Sequence, residues 1–307
     1  MDPSSPEKSS GWLRRAVDRV REFAYSEHPS VGAATSRPRV GLALGGGFAR
    51  GIAHLGVLHF LEEQGIPIDY IVGTSAGAVA GLAFATGLPF EIVAQKAGEL
   101  RFANFGQWKF SWLGLASNKR LESYPKHFLG VTNFEELKIP LSIAATDLQS
   151  GELVWFNRGP IGPPLRASCA YPGLFQPVEY DGKVLIDGFV AATVPVEAAL
   201  QMGADMVIAV LLEAEEYRKP ANFTDVLGRS FSIIQRHADV AWRSKAHVLI
   251  TPEVHEFAWD DFAKASEIIE AGRLAAMDSL PKITAALEAA AKRMAAAALP
   301  VPAERVP

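Results

Sequence analysis

The segment Gly73-Thr74-Ser75-Ala76-Gly77 places a serine between two glycines where an apolar, strand-like run gives way to an apolar helical pattern. This arrangement is typical of a sharp strand-to-helix turn whose hydroxyl projects from the end of a sheet. The glycines two residues before and after the serine let neighbouring backbone pass closely. The pentapeptide also occurs by chance in about one chain in ten of this length. Ser75 is therefore a candidate nucleophile whose assignment depends on the rest of the sequence.

A glycine-rich loop with the sequence GGGFARG occupies residues 45–51, between a predicted strand and a predicted helix. Such a loop directs several backbone N–H groups outward at the positive end of a helix. The same donors suit a nucleotide phosphate or the oxyanion of an acyl-transfer intermediate. The acidic residue of a dinucleotide site has no convincing counterpart about 20 residues on, and no Gly-Lys-Ser/Thr of a P-loop is present. We therefore favour an oxyanion hole, with Gly45, Gly46 and Gly47 as candidate N–H donors.

Together with Asp187-Gly188, the two segments resemble the three signature blocks of the patatin-like phospholipases, most closely the bacterial branch related to neuropathy-target-esterase domains. The resemblance covers residues 39–280. It implies a hydrolase of lipid acyl esters in which Ser75 is the nucleophile and Asp187 the base, without a catalytic histidine, a metal or a cofactor. It also implies supporting roles for other residues of the three blocks, namely Arg50, Gly73, Gly77 and Gly188.

The third block departs from the family pattern at two places. A small residue usually follows Asp-Gly in the family, where this chain has Phe189. The Asn that usually precedes the next Pro turn is missing from the segment that begins at Ala192. The nucleophile and the base are both kept, so activity is expected. The packing behind the base and the substrate preference are the properties that these changes put in question.

Other reactive side chains have simpler interpretations. Arg50 is expected to brace the glycine loop through hydrogen bonds, or else to steer a lipid phosphate. None of the seven histidines follows an acidic residue in a recognisable hydrolase end-motif, which disfavours a Ser-His-Asp triad. The single cysteine, Cys169, falls in a predicted buried helix, where inert packing is expected. No His, Cys or Asp cluster has the spacing of a metal site.

Composition and charge limit the class of protein. With 307 residues, 49% hydrophobic and 21% charged, the chain can form one large α/β domain with a substantial core. The net charge of −4 argues against a general nucleic-acid binder, whose surface would be basic. A single cysteine suits a reducing cytoplasm, and the polar first ten residues lack the apolar core of a signal peptide. Residues 70–90 carry no charge, but their glycines and proline favour a buried strand, turn and helix over a membrane span. We expect a cytoplasmic protein that reaches membrane lipids from the aqueous side.

The sequence divides into three predicted regions. Residues 1–38 form a tail, an amphipathic helix and a linker, residues 39–280 the patatin-like domain, and residues 281–307 an Ala-rich helix with a disordered tail. Strands and helices alternate in the middle region, which indicates an α/β fold with a mainly parallel central sheet and helices on both faces. The predicted strands are 40–44, 68–72, 141–147, 152–157, 184–186, 206–211 and 247–251. The predicted helices are 50–64, 76–87, 163–170, 195–202, 223–245, 261–274 and 282–298.

The roles of two segments can each be interpreted in two ways. Gly11 to Tyr25 has an apolar helical stripe and four arginines, so this helix either docks on the domain or lies on anionic lipid. The stretch from Phe102 to Trp112 is dense in aromatic residues, which either pack internally or form a lid or acyl channel. Tryptophan at the membrane interface is compatible with the second interpretation.

The sequence thus predicts a serine hydrolase of lipid acyl esters, acting through an acyl-enzyme on phospholipids, lysophospholipids or other acyl esters. No nucleic-acid partner is expected, and contact with the membrane would be peripheral. Two other functions remain open on the same fold. The acyl-enzyme could pass its chain to an alcohol or lysolipid, which would make the protein an acyltransferase. The changes at Phe189 and Ala192 also leave room for a non-catalytic lipid-binding protein.

Overall fold

The structure is a computed structural model that describes residues 37–213, 219–220, 223–238 and 240–297. The predicted helix from Gly11 to Tyr25 and the predicted disordered C-terminal tail lie outside the described residues. The described strands are β1 (Val40–Leu44), β2 (Tyr70–Thr74), β3 (Gln107–Ser111), β4 (Gly114–Ser117), β5 (Leu141–Asp147), β6 (Leu153–Phe156), β7 (Val178–Tyr180), β8 (Lys183–Asp187), β9 (Met206–Val210) and β10 (Val248–Ile250).

The described α-helices are α1 (Ala53–Glu63), α2 (Ala76–Ala85), α3 (Phe90–Glu99), α4 (Phe102–Phe105), α5 (Gly162–Ser168), α6 (Val196–Gln201), α7 (Phe223–Ala238), α8 (Val240–Arg243) and α9 (Ala265–Ala297). Short 3-10 turns cover Phe48–Ile52, Lys119–Glu122, Phe134–Glu136, Gly188–Val190 and Phe262–Lys264, and a π-helical turn covers Pro125–Leu129. Among the described helices, none combines the length and the apolar composition that a bilayer crossing requires.

An eight-stranded mixed sheet forms the centre of the fold. Its strand order is β10-β9-β1-β2-β5-β8-β7, with β6 paired to β5, and a separate hairpin consists of β3 and β4. The pairs β10–β9, β9–β1, β1–β2 and β2–β5 are all parallel. The β6, β7 and β8 pairings are antiparallel. The predicted mainly parallel sheet is therefore confirmed.

Helices cover both faces of the sheet because the central strands are apolar on both faces. Every residue of β1 is buried, as expected for a parallel strand inside a sheet. Leu42 and Leu44 pack in the same core as α1, α2 and α9. Ala43, between them, packs in a second core that includes Val196 of α6 and Trp242 of α8. The predicted placement of helices on both faces is confirmed.

The pairing around β5 brings together two distant parts of the chain. Strand β6 lies along one side of β5. Along the other side, β2 pairs with the first part of β5 and β8 with the last part, so that Thr74 lies opposite Ala144 and Asp187 opposite Ala145. Because β2 and β8 run in opposite directions, their carboxyl ends meet head to head. This arrangement places Ser75, directly after β2, beside Asp187.

The C-terminal part of the fold is a single helix, so the predicted separation into helices over 261–274 and 282–298 is wrong. Pro281 lies inside α9, although an interior proline removes one hydrogen bond and costs about 3 kcal/mol. Packing offsets this cost. A side chain at Gly56 of α1 would clash with the backbone of α9, and a side chain at Gly272 of α9 would clash with the backbone of α1. The two helices therefore lie very close together. Ile283 is fully buried beyond the proline.

Candidate active site

Ser75 occupies a strained turn between β2 and α2. Its backbone has φ 53° and ψ −120°, a positive φ that costs a non-glycine residue about 1–3 kcal/mol. The two flanking glycines are required by space. A Cβ on Gly73 would lie 2.4 Å from the Cα of Ala78, and a Cβ on Gly77 would lie 2.4 Å from the carbonyl oxygen of Leu44. The turn therefore has the geometry that its sequence predicts.

Ser75 and Asp187 are in direct contact. The Ser75 hydroxyl donates to Oδ2 of Asp187 at 2.8 Å. The other carboxylate oxygen, Oδ1, accepts the N–H of Phe189 at 3.0 Å. Two hydroxyls hold the backbone on either side: Ser168 Oγ accepts the N–H of Ser75, and Thr146 Oγ1 donates to the carbonyl of Asp187, both at 2.8 Å. The pair is thus fixed by the sheet and by α5.

The surroundings of Asp187 make it a stronger base than an ordinary carboxylate. Its side chain is buried, with the residue only 1% exposed. Burial raises the pKa of Asp187 from an ordinary 3.8 to about 7, against the smaller opposing effect of the hydrogen bonds from Phe189 and Ser75. A general base works best when its pKa lies near the working pH. Asp187 can therefore accept a proton from Ser75 at neutral pH.

The glycine loop runs beside Ser75. A Cβ on Gly46 would lie 3.3 Å from the Cβ of Ser75, so this backbone passes close to the Ser75 side chain. Within the described residues, the N–H groups of Gly46 and Gly47 meet no protein acceptor. The N–H of Gly45, by contrast, donates to the carbonyl of Val210 at 3.0 Å. Of the three glycines predicted for the oxyanion hole, Gly46 and Gly47 have available donors, and Gly45 joins the loop to β9.

A buried histidine at the start of α1 contacts this loop. His54 is fully buried, and its Nε2 lies 2.8 Å from the carbonyl oxygen of Gly45. Burial lowers the pKa of His54 to about 4, so the neutral ring donates through Nε2 to that carbonyl. Because a trans peptide points its C=O and the following N–H in opposite directions, this contact also directs the Gly46 N–H away from His54. The position of His54 in the sequence is compatible with such a packing role, because helical side chains lean toward the N-terminus and the first turn of α1 therefore reaches the preceding loop.

Arg50 ties the loop to the strand region behind it. Its Nη1 donates to the carbonyl of Glu213, shortly after β9, at 3.3 Å. This contact agrees with the bracing interpretation. Gly188 lies against β5, where a Cβ would be 2.6 Å from the carbonyl oxygen of Ala144. A side chain at position 188 would push Asp187 out of its place.

Phe189, the departure from the family pattern, lies at the dyad without displacing it. Its N–H holds Asp187, as described above, and its ring centre is 5.8 Å from that of Tyr171. Its carbonyl accepts a hydrogen bond from Gln235 of α7, and the ring of Phe231 on the same helix contacts Tyr171 at 5.9 Å. Residue 189 thereby connects Asp187 to α7, the helix that packs beside the site.

An apolar cavity opens next to Ser75. Its volume, counted as space for the centre of a water-sized sphere, is about 110 Å³. One face of α2 contributes Ala76, Val79, Ala80 and Ala83 to its wall. The other lining residues are Phe48, Gly51, Ile52, Leu55, Ser75, Val93, Lys96, Ala97, Leu100, Phe105, Leu121, Tyr124, Leu129, Cys169, Phe175 and Phe262. With Lys96 as its one charged member, this lining suits a hydrocarbon chain.

Some residues of the aromatic stretch from Phe102 to Trp112 pack internally, and others line the cavity or face solvent. Phe102 packs internally, with its ring centre 6.0 Å from that of Phe175. Phe105 lines the cavity. Trp108 and Trp112 face solvent. The segment therefore combines packing, cavity wall and exposed surface.

The described histidines and Cys169 do not form part of the hydrogen-bonded pair of Ser75 and Asp187. No histidine of the described residues hydrogen-bonds to Ser75 or Asp187. Cys169 lies in the cavity wall, where burial and the nearby charge of Asp187 raise the pKa of its thiol. A raised pKa keeps the thiol protonated and unreactive. The part of the chain that the structure describes holds no group of three His, Cys, Asp or Glu side chains placed for a metal ion.

Comparison with known proteins gives a family match. Residues 42–200 match the family model described as patatin-like phospholipase. An uncharacterized NTE family protein of Mycobacterium tuberculosis is 38% identical over 184 residues, which cover 59% of this chain and 51% of that protein. Lysophospholipase NTE1 of Coccidioides immitis is 28% identical over 267 residues, 76% of this chain and 17% of that protein. The chain thus spans about half the length, or less, of these relatives.

Solved structures with similar backbones include VipD from Legionella pneumophila, with 14% sequence identity and a TM-score of 0.46 over 82% of this chain and 67% of that chain. Human GIVD cytosolic phospholipase A2 has 12% identity and a TM-score of 0.44 over 94% of this chain and 65% of that chain.

Proposed function

The chain belongs to the patatin-like phospholipase family, and from this membership we propose that it is a serine hydrolase of lipid acyl esters. One observation carries the proposal: the hydroxyl of Ser75 donates to the buried carboxylate of Asp187 at 2.8 Å, at the wall of an apolar cavity. A serine hydroxyl is a weak nucleophile unless an adjacent base takes its proton. Asp187 is the group positioned to do so.

The proposed reaction has two steps. Ser75 Oγ attacks the ester carbonyl while its proton passes to Asp187, and the N–H groups of Gly46 and Gly47 stabilise the oxyanion that forms. The alcohol leaves with the proton from Asp187, so that an acyl-serine remains. Asp187 then takes a proton from water, the water oxygen attacks the acyl carbon, and Ser75 recovers its proton as the fatty acid departs. The pKa of about 7 for Asp187 suits both directions of proton transfer.

The cavity supports an acyl chain as the group that is transferred. The face of α2 that lines it extends from Ser75 to Ala83, a length of about 12 Å at 1.5 Å per residue. Carbon–carbon bonds of about 1.5 Å in a zigzag advance roughly 1.25 Å each, so about eight to ten methylene groups fit along this face. Because the wall is mostly apolar and has one charged residue, Lys96, a polar head-group would remain outside it, on the Ser75 side.

The experiment measures hydrolysis by the full chain of p-nitrophenyl butyrate and of a lysophospholipid, the lipid class for which the Coccidioides relative is named. Ser75→Ala and Asp187→Asn are each expected to lower kcat at least 1,000-fold. Ser150→Ala, which removes a hydroxyl from a turn far from the dyad in the sequence, serves as the matched control. Retained turnover in folded Ser75→Ala would refute the proposal.

Two further measurements separate the other functions that the sequence leaves open. A fluorophosphonate probe should label the wild-type chain and not Ser75→Ala, because labelling requires an activated serine. Absence of labelling in folded wild-type protein would favour a non-catalytic lipid-binding protein. Mass spectrometry of products from a labelled lipid and an acceptor alcohol would show an acyltransferase by the appearance of a new ester.

A further inference from the structure

The segment of residues 100–121 carries an unusual charge for this protein. It contains four basic residues and no acidic residue, whereas the whole chain has a net charge of −4. The four are Arg101, Lys109, Lys119 and Arg120, and all are exposed. Within the described residues none of them forms an ion pair with a carboxylate. This part of the surface therefore presents uncompensated positive charge.

The same segment exposes large apolar side chains on the hairpin formed by β3 and β4. Trp112 is completely exposed, Leu113 is 70% exposed and Trp108 is 59% exposed. Trp112 and Leu113 form the turn between the two strands. We call residues 101–120 the basic hairpin segment. A fully exposed tryptophan beside a leucine at a loop tip leaves apolar surface in water that a partner would cover.

The basic hairpin segment adjoins the cavity next to Ser75. The N–H of Ala116 donates to the carbonyl of Leu174 at 2.8 Å, and Gln176 donates to Ser111 Oγ at 2.7 Å. Phe175, between these two contacts in sequence, lines the cavity. Phe105 of the segment itself lines the same cavity. The hairpin is thus attached directly to the cavity wall.

We propose that the basic hairpin segment is the surface by which the protein docks on an anionic lipid bilayer, with Trp112 and Leu113 inserted at the head-group level. Three features favour a bilayer as the occupant. Tryptophan prefers the membrane–water interface. Basic side chains near an anionic lipid surface are attracted to it. Two large apolar side chains at the turn and a third on β3 offer far less area than the roughly 800 Å² that each partner contributes to a stable protein interface.

Docking at this place extends the proposed function, because it sets the acyl cavity beside the bilayer that holds the substrate. The docking itself is measured without turnover, so the two proposals fail separately. A wild-type chain that hydrolyses no ester would refute the hydrolase proposal. Vesicle binding by the same chain would still test the docking proposal.

The test is co-sedimentation of the full chain with vesicles of phosphatidylcholine alone and of phosphatidylcholine with 30 mol% phosphatidylserine (roughly a third anionic lipid, enough to set a negative surface potential). Trp112→Ser/Leu113→Ser is expected to weaken binding to the anionic vesicles at least tenfold. Lys109→Gln/Lys119→Gln should weaken it about fivefold at low salt, with a smaller loss at high salt, where charge is screened. Leu274→Ser/Met277→Ser, which removes two other exposed apolar side chains from α9, is the matched control and should bind as the wild type does.

A kinetic comparison gives the second readout. In Trp112→Ser/Leu113→Ser, the ratio of vesicle phospholipid hydrolysis to butyrate ester hydrolysis should fall at least tenfold. Equal vesicle binding by this variant and the wild type would overturn the proposal, as would a wild type that binds no vesicles. A wild-type dimer in sedimentation velocity that the same variant abolishes would also overturn it, because the surface would then belong to a second copy of the chain.

Discussion

Replacing Asp187 with Asn should make the protein more stable at neutral and alkaline pH, although it removes the proposed base. The pKa of Asp187 is raised by burial from 3.8 to about 7 in the folded state. The folded protein therefore binds this proton more tightly than the unfolded chain does. Between about pH 4 and pH 7 the folded state carries the excess proton, so this group makes the free energy of unfolding fall as the pH rises.

The size of the effect follows from the two pKa values. A difference of about 3 between them corresponds to about 4 kcal/mol at roughly 1.36 kcal/mol per pH unit. The asparagine has nearly the same shape, its Oδ1 can still accept the N–H of Phe189, and the Ser75 hydroxyl can rotate to accept from Nδ2. Since Asn does not titrate, Asp187→Asn should gain up to about 4 kcal/mol relative to the wild type as the pH rises from 4 to 7. Above pH 7 the gain should be constant.

The assay is urea unfolding followed by circular dichroism at intervals from pH 5 to pH 8.5. Asp147→Asn is the matched control, because hydrogen bonds from the Gln149 N–H and Lys183 lower the pKa of Asp147. A lowered pKa means that the ionised group stabilises the fold above its unfolded pKa, so this variant should be less stable than the wild type by a constant amount over this pH range. A stability difference between Asp187→Asn and the wild type that does not change with pH would refute the assignment of a raised pKa to Asp187.

Three further predictions concern catalysis. The kcat/KM for p-nitrophenyl butyrate should fall about tenfold per unit as the pH drops below about 7, because Asp187 must be ionised to accept the serine proton; a profile that stays flat to pH 5 would contradict this. His54→Leu should lower kcat at least tenfold with KM within twofold, whereas His54→Gln, which keeps an N–H donor for the Gly45 carbonyl, should retain most of the rate; equal losses in both would indicate a packing role only. Ala83→Leu should lower the ratio of laurate to butyrate ester turnover at least tenfold, because it fills the far end of the cavity wall on α2, and an unchanged ratio would show that the acyl chain lies elsewhere.

Local sequence predicted the local geometry of the site well. The elbow at Ser75 follows from glycine spacing alone, because the positions of Gly73 and Gly77 are the ones where a side chain would strike backbone. Strand β2 before the turn and helix α2 after it were both predicted within two residues of their observed ends, since a buried parallel strand is a short apolar run with clear ends. These features depend only on neighbours in the chain.

Features that depend on packing between distant segments were not predictable in the same way. The contact of Ser75 with Asp187 requires β2 and β8 to meet head to head along β5, which no sequence spacing encodes. Likewise, the single helix α9 continues through Pro281 because close packing on α1 offsets the local penalty. The availability of each N–H group in the glycine loop also depends on distant residues. The N–H of Gly45, for example, donates to the carbonyl of Val210 in β9.

The two residues of the candidate dyad are both held in states that the rest of the fold must stabilise. Ser75 has a positive φ, and Asp187 is a carboxylate buried almost completely. Each costs folding free energy, on the order of 1–3 kcal/mol for the backbone of Ser75 and about 4 kcal/mol for the charge of Asp187 at neutral pH. Both residues stand at strand ends that are hydrogen-bonded to β5, whose seven residues are all buried. Local strain concentrated beside a fully buried strand is the pattern expected when function, rather than stability, decides the conformation of a site. A rigid central sheet is therefore what permits this chain to keep an ionised Asp187 in contact with Ser75, which lines the cavity.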